Sequence, residues 1–295
     1  MIVEKFFRYA LLTTVFVGIL LSCKNEINNI KDQKNDLASI VDTIIFNIPT
    51  GSHTRQVYDL YLPKNRDSLT PVIITIHGGA WKSGQKEDLN SLINLIQKKW
   101  NDVAIVNMNY RLASNSDKIH HNEIIADIDN VVNNIISNKK KYNISSKIAV
   151  LGVSAGGQLA MIYAYKYNRN IKCVANIFGP SILSDWSWYN SYNIWLGAKI
   201  GDILTEYIGV PFDTLVYNSV SPYWNVNSSS PPTIIFHGSL DPIVPVYQSQ
   251  WFYEKLKKLG VRSEYYEYLA FHSFDDSQLN DVIIKLVSFF KLSLI

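Results

Sequence analysis

The pentapeptide Gly152-Val153-Ser154-Ala155-Gly156, of the form G-x-S-x-G, constrains the fold more than any other feature of this chain. An apolar run, residues 148–153, leads into it, and a run of small and apolar residues, 157–165, follows. Such a pattern predicts a strand, a sharp turn and a helix, with the serine at the turn. The turn forces the serine backbone into a strained conformation, so its neighbours must be small, and the two glycines keep that space open. The hydroxyl then projects from a strand end, above a helix N-terminus that favours negative charge. Alone, the pentapeptide is a weak signal. Its weight depends on what the rest of the chain places around it.

The flanking sequence predicts further alternation of strands and helices. Residues 41–48 and 56–62 alternate with period two and are joined by the turn signal Pro49-Thr50-Gly51-Ser52. Residues 71–76 form a short continuous apolar run, the pattern of a strand buried on both faces; 103–108 read as another buried strand and 147–153 as the strand that leads to the serine. Residues 171–178, 233–236 and 264–268 are expected as later strands. Helices are expected over 89–100, 123–138, 157–167, 248–259 and 279–292. Gly260 suits the position just past a helix end. This order predicts an α/β fold: a mostly parallel central sheet covered by helices on both faces. Residues 181–223 break the rhythm; they are aromatic-rich, lack a clear period and are expected to form a short cap insertion.

The N-terminus reads as targeting sequence. Lys5 and Arg8 precede an apolar and small run, residues 10–21, that is short for a membrane span of about 20 apolar residues. It ends in Leu20-Leu21-Ser22-Cys23, which resembles a bacterial lipobox, where cleavage precedes a cysteine that then carries lipid. Residues 1–22 are therefore expected as a lipoprotein signal peptide, 23–40 as a solvated Asn/Lys/Asp-rich tether, and 41–295 as one folded domain. Cys23 is the expected lipidation site and the lipid bilayer an expected partner. Lys24 follows it where inner-membrane retention would call for an aspartate, which favours export to the outer membrane. Cys173, the only other cysteine, lies in an apolar stretch and is expected as a buried small hydrophobe.

A serine hydroxyl needs a base to become a nucleophile, and the base needs an acid to hold its tautomer. Downstream of Ser154 the histidines are His237 and His272. His272 follows the predicted strand 264–268 and so falls at the sheet edge that carries Ser154. His237 ends the predicted strand 233–236, in a turn where Asp241 is the evident acid; His237 itself is expected to be structural. Asp275 and Asp276 are rival acids but come after the histidine. The expected catalytic set is Ser154, Asp241 and His272, in the chain order that elbow-type hydrolases show. After the predicted strand 71–76 comes His77-Gly78-Gly79-Ala80-Trp81, whose small residues leave backbone N–H groups bare. Gly79, Ala80 and Ala155 are the expected oxyanion donors.

Taken together, His77-Gly78-Gly79-Ala80-Trp81, Asn109-Tyr110-Arg111-Leu112, Gly152-Val153-Ser154-Ala155-Gly156-Gly157, Ser221-Pro222, His237-Gly238-Ser239-Leu240-Asp241 and His272-Ser273-Phe274 resemble α/β-hydrolase-fold serine esterases. The likeness is to HGG-type bacterial carboxylesterases related to hormone-sensitive lipase and to the feruloyl and acetyl-xylan esterase-like branch. It covers about residues 55–290. Ala80 replaces the third glycine of the HGGG form, which a backbone donor tolerates. The resemblance implies hydrolysis of short-chain or aryl carboxylic esters, free or carbohydrate-linked, through an acyl-enzyme and without a cofactor. It also implies structural roles for Asp127 and Arg111, the latter paired with a carboxylate.

Other chemistries lack their motifs. The chain has no H-E-x-x-H, no paired C-x-x-C, no phosphate-binding glycine loop and, at net charge +3, no clustered basic stripe. No metal, nucleotide or nucleic acid is expected. Lys139-Lys140-Lys141 reads as a solvated helix end, and His120-His121 as an exposed pair in a polar loop. A peptidase of the same fold and a non-catalytic binding protein remain as alternatives. Trp81, Trp186, Trp188, Tyr189 and Trp195 are candidates either to line the site or to form the core of the cap.

Overall fold

The structure is a computed structural model that describes residues 41–167 and 170–295. The expected signal peptide, the tether and Cys23 lie outside the described residues. Eight strands form one sheet: β1 (Val41–Pro49), β2 (Val57–Pro63), β3 (Val72–Ile76), β4 (Ala104–Met108), β5 (Ile148–Val153), β6 (Ile171–Ile177), β9 (Thr233–Gly238) and β10 (Ser263–Tyr268). A two-stranded ribbon of β7 (Tyr192–Asn193) and β8 (Ala198–Lys199) stands apart from it. The sheet order is β1-β2-β4-β3-β5-β6-β9-β10. The contacts β1·β2 and β2·β4 are antiparallel and the rest parallel.

Alternation along the central strands sends their side chains to opposite faces. Val72, Ile74 and Ile76 of β3 join one core with Val150 of β5, while Ile73 joins the other with Ala149 and Leu151. The first core is closed by α2 (His121–Tyr142), α3 (Ala155–Ile162) and α8 (Tyr247–Lys258); the second by α1 (Asn90–Lys99) and α9 (Asp276–Leu294). The stripe Ile124, Ile128, Val131, Val132 and Ile135 places α2 on the sheet, each side chain contributing roughly 1.5–3 kcal/mol of transfer free energy. Glu123 accepts the N–H of His120 at the start of α2, and Asn143 ends it in the left-handed region. Lys139, Lys140 and Lys141 occupy its last turn, as expected. Cys173 is buried in β6, where burial pushes its thiol up to about 12. This is the α/β-hydrolase architecture expected from the sequence.

Three local expectations need correction. The helix expected over 157–167 is α3 followed by a wider π turn, Tyr163–Tyr167. Residues 181–223 do hold periodic structure: α4 (Trp186–Tyr189), the β7–β8 ribbon, α5 (Ile200–Ile208), α6 (Thr214–Ser219) and α7 (Pro222–Asn225). Ile200, Ile203, Leu204 and Tyr207 form the buried stripe of α5. His121 is buried rather than exposed, because the α5 segment packs its Tyr207 edge-on against the imidazole.

The junction of β5 and α3 is where packing is tightest. A Cβ on Gly152 would lie 2.0 Å from the carbonyl oxygen of Gly156, and one on Gly156 would lie 2.1 Å from that of Ile76. Both obstacles are backbone and cannot swing aside. Gly156→Ala is therefore expected to lower the unfolding free energy by roughly 2–3 kcal/mol, read as a lower urea midpoint. A variant as stable as the parent would show that β3 and α3 are not pressed together as described.

Candidate active site

Ser154 sits between β5 and α3 with φ 55° and ψ −122°, outside the ordinary regions for a side-chain-bearing residue. Its N–H donates to Ile177 O at 2.7 Å on the neighbouring strand, and its carbonyl accepts the Gly157 N–H at 2.8 Å. These bonds hold the strained turn from both sides and leave the hydroxyl partly exposed.

Two loops from distant parts of the chain meet that hydroxyl. His272, in the loop after β10, has Nε2 2.9 Å from Ser154 Oγ. Its Nδ1 lies 2.6 Å from Asp241 Oδ2, in the loop after β9. The Asp241 carboxylate is fully buried and is approached by three further N–H groups. The N–H groups of Ile243 and Val244 reach Oδ1 at 2.8 and 3.0 Å, and His237 Nε2 lies 3.0 Å from Oδ2. Burial pushes this carboxyl up, but hydrogen bonds from His237 and then His272, with their coulombic attraction, outweigh it and hold the group well below the usual carboxylate range. Asp241 therefore stays ionised where it faces His272. The structure brings Ser154, His272 and Asp241 into one chain of hydrogen bonds. Asp275 instead caps α9 by accepting the Gln278 N–H at 2.8 Å, and Asp276 begins that helix.

The loop after β3 carries two of the expected backbone donors, Gly79 and Ala80. Gly79, Ala80 and Trp81 have φ of 106°, 50° and 61°, three successive residues in the left-handed half of conformational space. Among the described residues, no acceptor meets the N–H of Gly79, Ala80 or Ala155. Ala80 and Ala155 line a cavity of about 20 Å³ beside Ser154. Gly79 does not line it; its carbonyl turns into the loop to accept the Lys82 and Ser83 N–H groups. Trp81 and Trp188 form part of the cavity wall, whereas Trp186 and Trp195 are exposed and Tyr189 packs among Trp186, Phe212 and Tyr217. A larger open depression of about 240 Å³ lies by Ile171 and Pro232, at the opposite ends of β6 and β9, remote from this chemistry.

Two buried histidines brace the loop, and sequence reasoning assigned neither this task. The His77 ring stacks on Tyr110 with centroids 4.2 Å apart. Arg55 Nη2 lies 3.2 Å from its Nε2, so Nδ1 carries the hydrogen and donates to Gly78 O at 2.7 Å. Burial, with a smaller contribution from Arg55, pushes this imidazole down to about 4 despite that bond. His121 bonds Tyr207 Oη at 2.6 Å and Tyr167 Oη at 3.1 Å, and burial pushes it down to about 3. Tyr207 stacks on Trp81, and both donate to Gln158 Oε1 at 3.0 Å. Gln158, buried in α3, carried no sequence signal because its partners are 49 and 77 positions away. Arg111 pairs with buried Asp127, Nη2 to Oδ1 at 2.8 Å, joining the loop after β4 to α2. Among the described residues no cluster of three or more His, Cys, Asp or Glu is placed to hold a metal ion.

A strained serine, an imidazole on its hydroxyl, an ionised carboxylate behind the imidazole and free N–H groups opposite can together perform acyl transfer. The buried neutral histidines make an acid cost. Unfolded, each takes a proton near pH 6.5; folded, each resists until far lower, so stability present above about pH 6.5 is lost as pH falls. At about pH 5 the loss is on the order of 2 kcal/mol for each of His77 and His121. The Asp241 contribution persists there and goes only below the ordinary carboxylate range. Urea midpoints are expected to fall between about pH 7 and pH 5; a flat profile would mean these rings are not held neutral.

Residues 58–256 match the BD-FAE family. The isoprenylcysteine alpha-carbonyl methylesterase ICME of Arabidopsis thaliana is 25% identical over 238 residues, covering 72% of this chain and 52% of that protein. Esterase LipC of Mycobacterium tuberculosis is 26% identical over 247 residues, covering 76% and 58%. The chain thus spans little more than half the length of these relatives. Among solved structures, a hyperthermophilic esterase from Pyrobaculum calidifontis superposes with a TM-score of 0.72 at 19% identity, over 92% of this chain and 94% of that one. A truncated carbohydrate esterase from gut microbiota gives 0.68 at 20% identity, over 85% and 97%.

Proposed function

The chain belongs to the BD-FAE family, and on that footing we propose that it is a serine esterase that removes short acyl groups through a covalent intermediate on Ser154. The observation that carries this is the unbroken run Ser154 Oγ, His272, Asp241, with bonds of 2.9 and 2.6 Å, beside the backbone of Ala80 and Ala155 in the same cavity. Relatives named as esterases support it.

In this reading Ser154 Oγ attacks the ester carbonyl carbon while His272 Nε2 takes the hydroxyl proton. Asp241 stabilises the resulting imidazolium without being protonated itself. The oxyanion forms against the N–H groups of Ala80 and Ala155, with Gly79 the third expected donor. His272 then gives its proton to the leaving alkoxide, and the acyl-enzyme remains. Water attacks that carbonyl, His272 again takes a proton, and the carboxylic acid departs as Ser154 recovers its hydrogen. Ser154→Ala is expected to lower kcat by on the order of 10³-fold or more while the protein stays folded.

The cavity lining supports the short-acyl part of the expected range. Trp81, Trp188, Leu196, Ile200 and Ile203 crowd the cavity beside Ser154 and fill space that a longer chain would need. In a series of p-nitrophenyl acetate, butyrate, octanoate and palmitate, kcat/KM is expected to be highest for acetate and to fall with length. A rise toward palmitate would overturn the short-acyl reading. Faster turnover of an aminoacyl p-nitroanilide than of acetate would favour a peptidase.

Export and lipid anchoring through Cys23 belong to the same proposal and rest on the Leu20-Leu21-Ser22-Cys23 tetrapeptide. Cys23→Ala is expected to move the protein from the outer-membrane fraction to the soluble one with kcat unchanged. Wild-type protein recovered without lipid would remove the anchor.

A further inference from the structure

The buried carboxylate of Asp241 faces two imidazoles, not one. His237 Nε2 lies 3.0 Å from Asp241 Oδ2, the same oxygen that His272 Nδ1 approaches at 2.6 Å. On its far side, His237 Nδ1 lies 2.6 Å from the hydroxyl of Ser249 in α8. The arrangement is a Ser-His-Asp-His-Ser chain with one carboxylate at its centre. Its inner half is closed to substrate, because His237 and Ser249 are both buried.

Chemistry fixes the hydrogens of the inner half. His237 Nε2 is 3.0 Å from Val244 O as well as from the carboxylate. A bare lone pair there would face two acceptors, so Nε2 carries a hydrogen. Ser249 Oγ meets no other partner among the described residues, so its hydrogen is satisfied by donating to Nδ1. The ring is thereby held as the Nε2–H tautomer. With Oδ1 occupied by the Ile243 and Val244 N–H groups, the His237 Nε2–H, which donates to Val244 O at 3.0 Å, also lies 3.0 Å from Oδ2 and sets its positive end against that oxygen. Without it, the carboxylate would lose a partner that offsets its desolvation and limits its rotation away from His272.

We propose that His237 is a positioning residue, which Ser249 locks in one tautomer so that it fixes the charge and orientation of Asp241 behind His272. The proposal goes beyond the esterase reading by giving the buried pair a part in the rate, and it rests on that reading for the role of Ser154.

The test compares His237→Phe, His237→Gln and Ser249→Ala, each in the wild-type background and with Asp241→Asn. Phenylalanine keeps a ring against Phe178, which packs edge-on against His237. Glutamine sets an acceptor and a donor across one carbon, as imidazole sets Nδ1 and Nε2. The readouts are kcat and KM for p-nitrophenyl acetate and the rate of labelling by a fluorophosphonate. In labelling, the Ser154 O–P bond forms, P–F breaks, fluoride leaves and the serine proton passes to His272, so no natural substrate is needed. His237→Phe is expected to slow labelling and kcat about 10- to 100-fold with KM within about twofold. His237→Gln should recover to within about threefold of wild type, and Ser249→Ala should fall about 3- to 10-fold. With Asp241→Asn, the His237→Phe loss should shrink below about threefold, because its route of action is gone. Equal losses in both backgrounds, or a glutamine variant no faster than phenylalanine, would make His237 merely structural and overturn the proposal. If His237→Phe does not fold, Ser249→Ala decides, and an unchanged rate overturns it. Wild-type protein that is labelled but cleaves no ester sinks the esterase reading, while the labelling rates still decide the role of His237. Wild-type protein that resists labelling overturns both.

Discussion

The strained backbone of Ser154 is the constraint to which the rest of the site answers. A residue at φ 55° and ψ −122° is costly, on the order of 1–3 kcal/mol, and persists only where its surroundings leave no alternative. Here the surroundings are the sheet itself. The Ser154 N–H is tied to β6, and the helix that follows is pressed against β3 so closely that Gly152 and Gly156 have no room for a side chain. The β3–β5 pairing therefore sets both the nucleophile and the oxyanion loop, since Ile76 lies opposite Gly152 and the loop starts one residue later.

The remaining requirement is an ionised carboxylate in a dry place. Burial alone would keep Asp241 protonated, and a protonated acid could not hold a forming imidazolium. Two backbone N–H groups and two imidazoles reverse that preference. All of this is assembled by loops at the C-terminal ends of parallel strands, and so depends on the register of β9 with β10, where His237 lies opposite Glu267 and Gly238 opposite Tyr268. The oxyanion loop relies on polar groups in the same way. Neutral His77 and His121 brace it from within, which makes the site stable near neutrality and vulnerable to acid.

Much of this was legible in the sequence because it is local. Continuous apolar runs marked β3, β4 and β5, and the stripe of α2 marked a helix on the sheet. G-x-S-x-G and the glycines after β3 are short-range requirements of a turn. Placing Ser154, Asp241 and His272 on one sheet edge needed only the alternation of strands and helices. What escaped is contact between distant segments. His121 looked like half of a polar surface pair, since nothing near it in the chain announces that Tyr207, 86 residues on, will cover it. Gln158 is silent for the same reason. In residues 181–223 the abundant aromatics mask the spacing of Ile200, Ile203, Leu204 and Tyr207, the stripe that α5 buries.

The central claim is that an acyl group passes through the oxygen of Ser154. Rapid quenching of the protein during reaction with p-nitrophenyl acetate, followed by mass spectrometry of its peptides, tests this most directly. The account predicts a burst of p-nitrophenol of about one equivalent, with one acetyl group on the peptide that carries Ser154 and none when His272 is replaced by alanine. Acetyl found on another residue, or steady turnover with an unmodified Ser154 and no effect of Ser154→Ala, would contradict it.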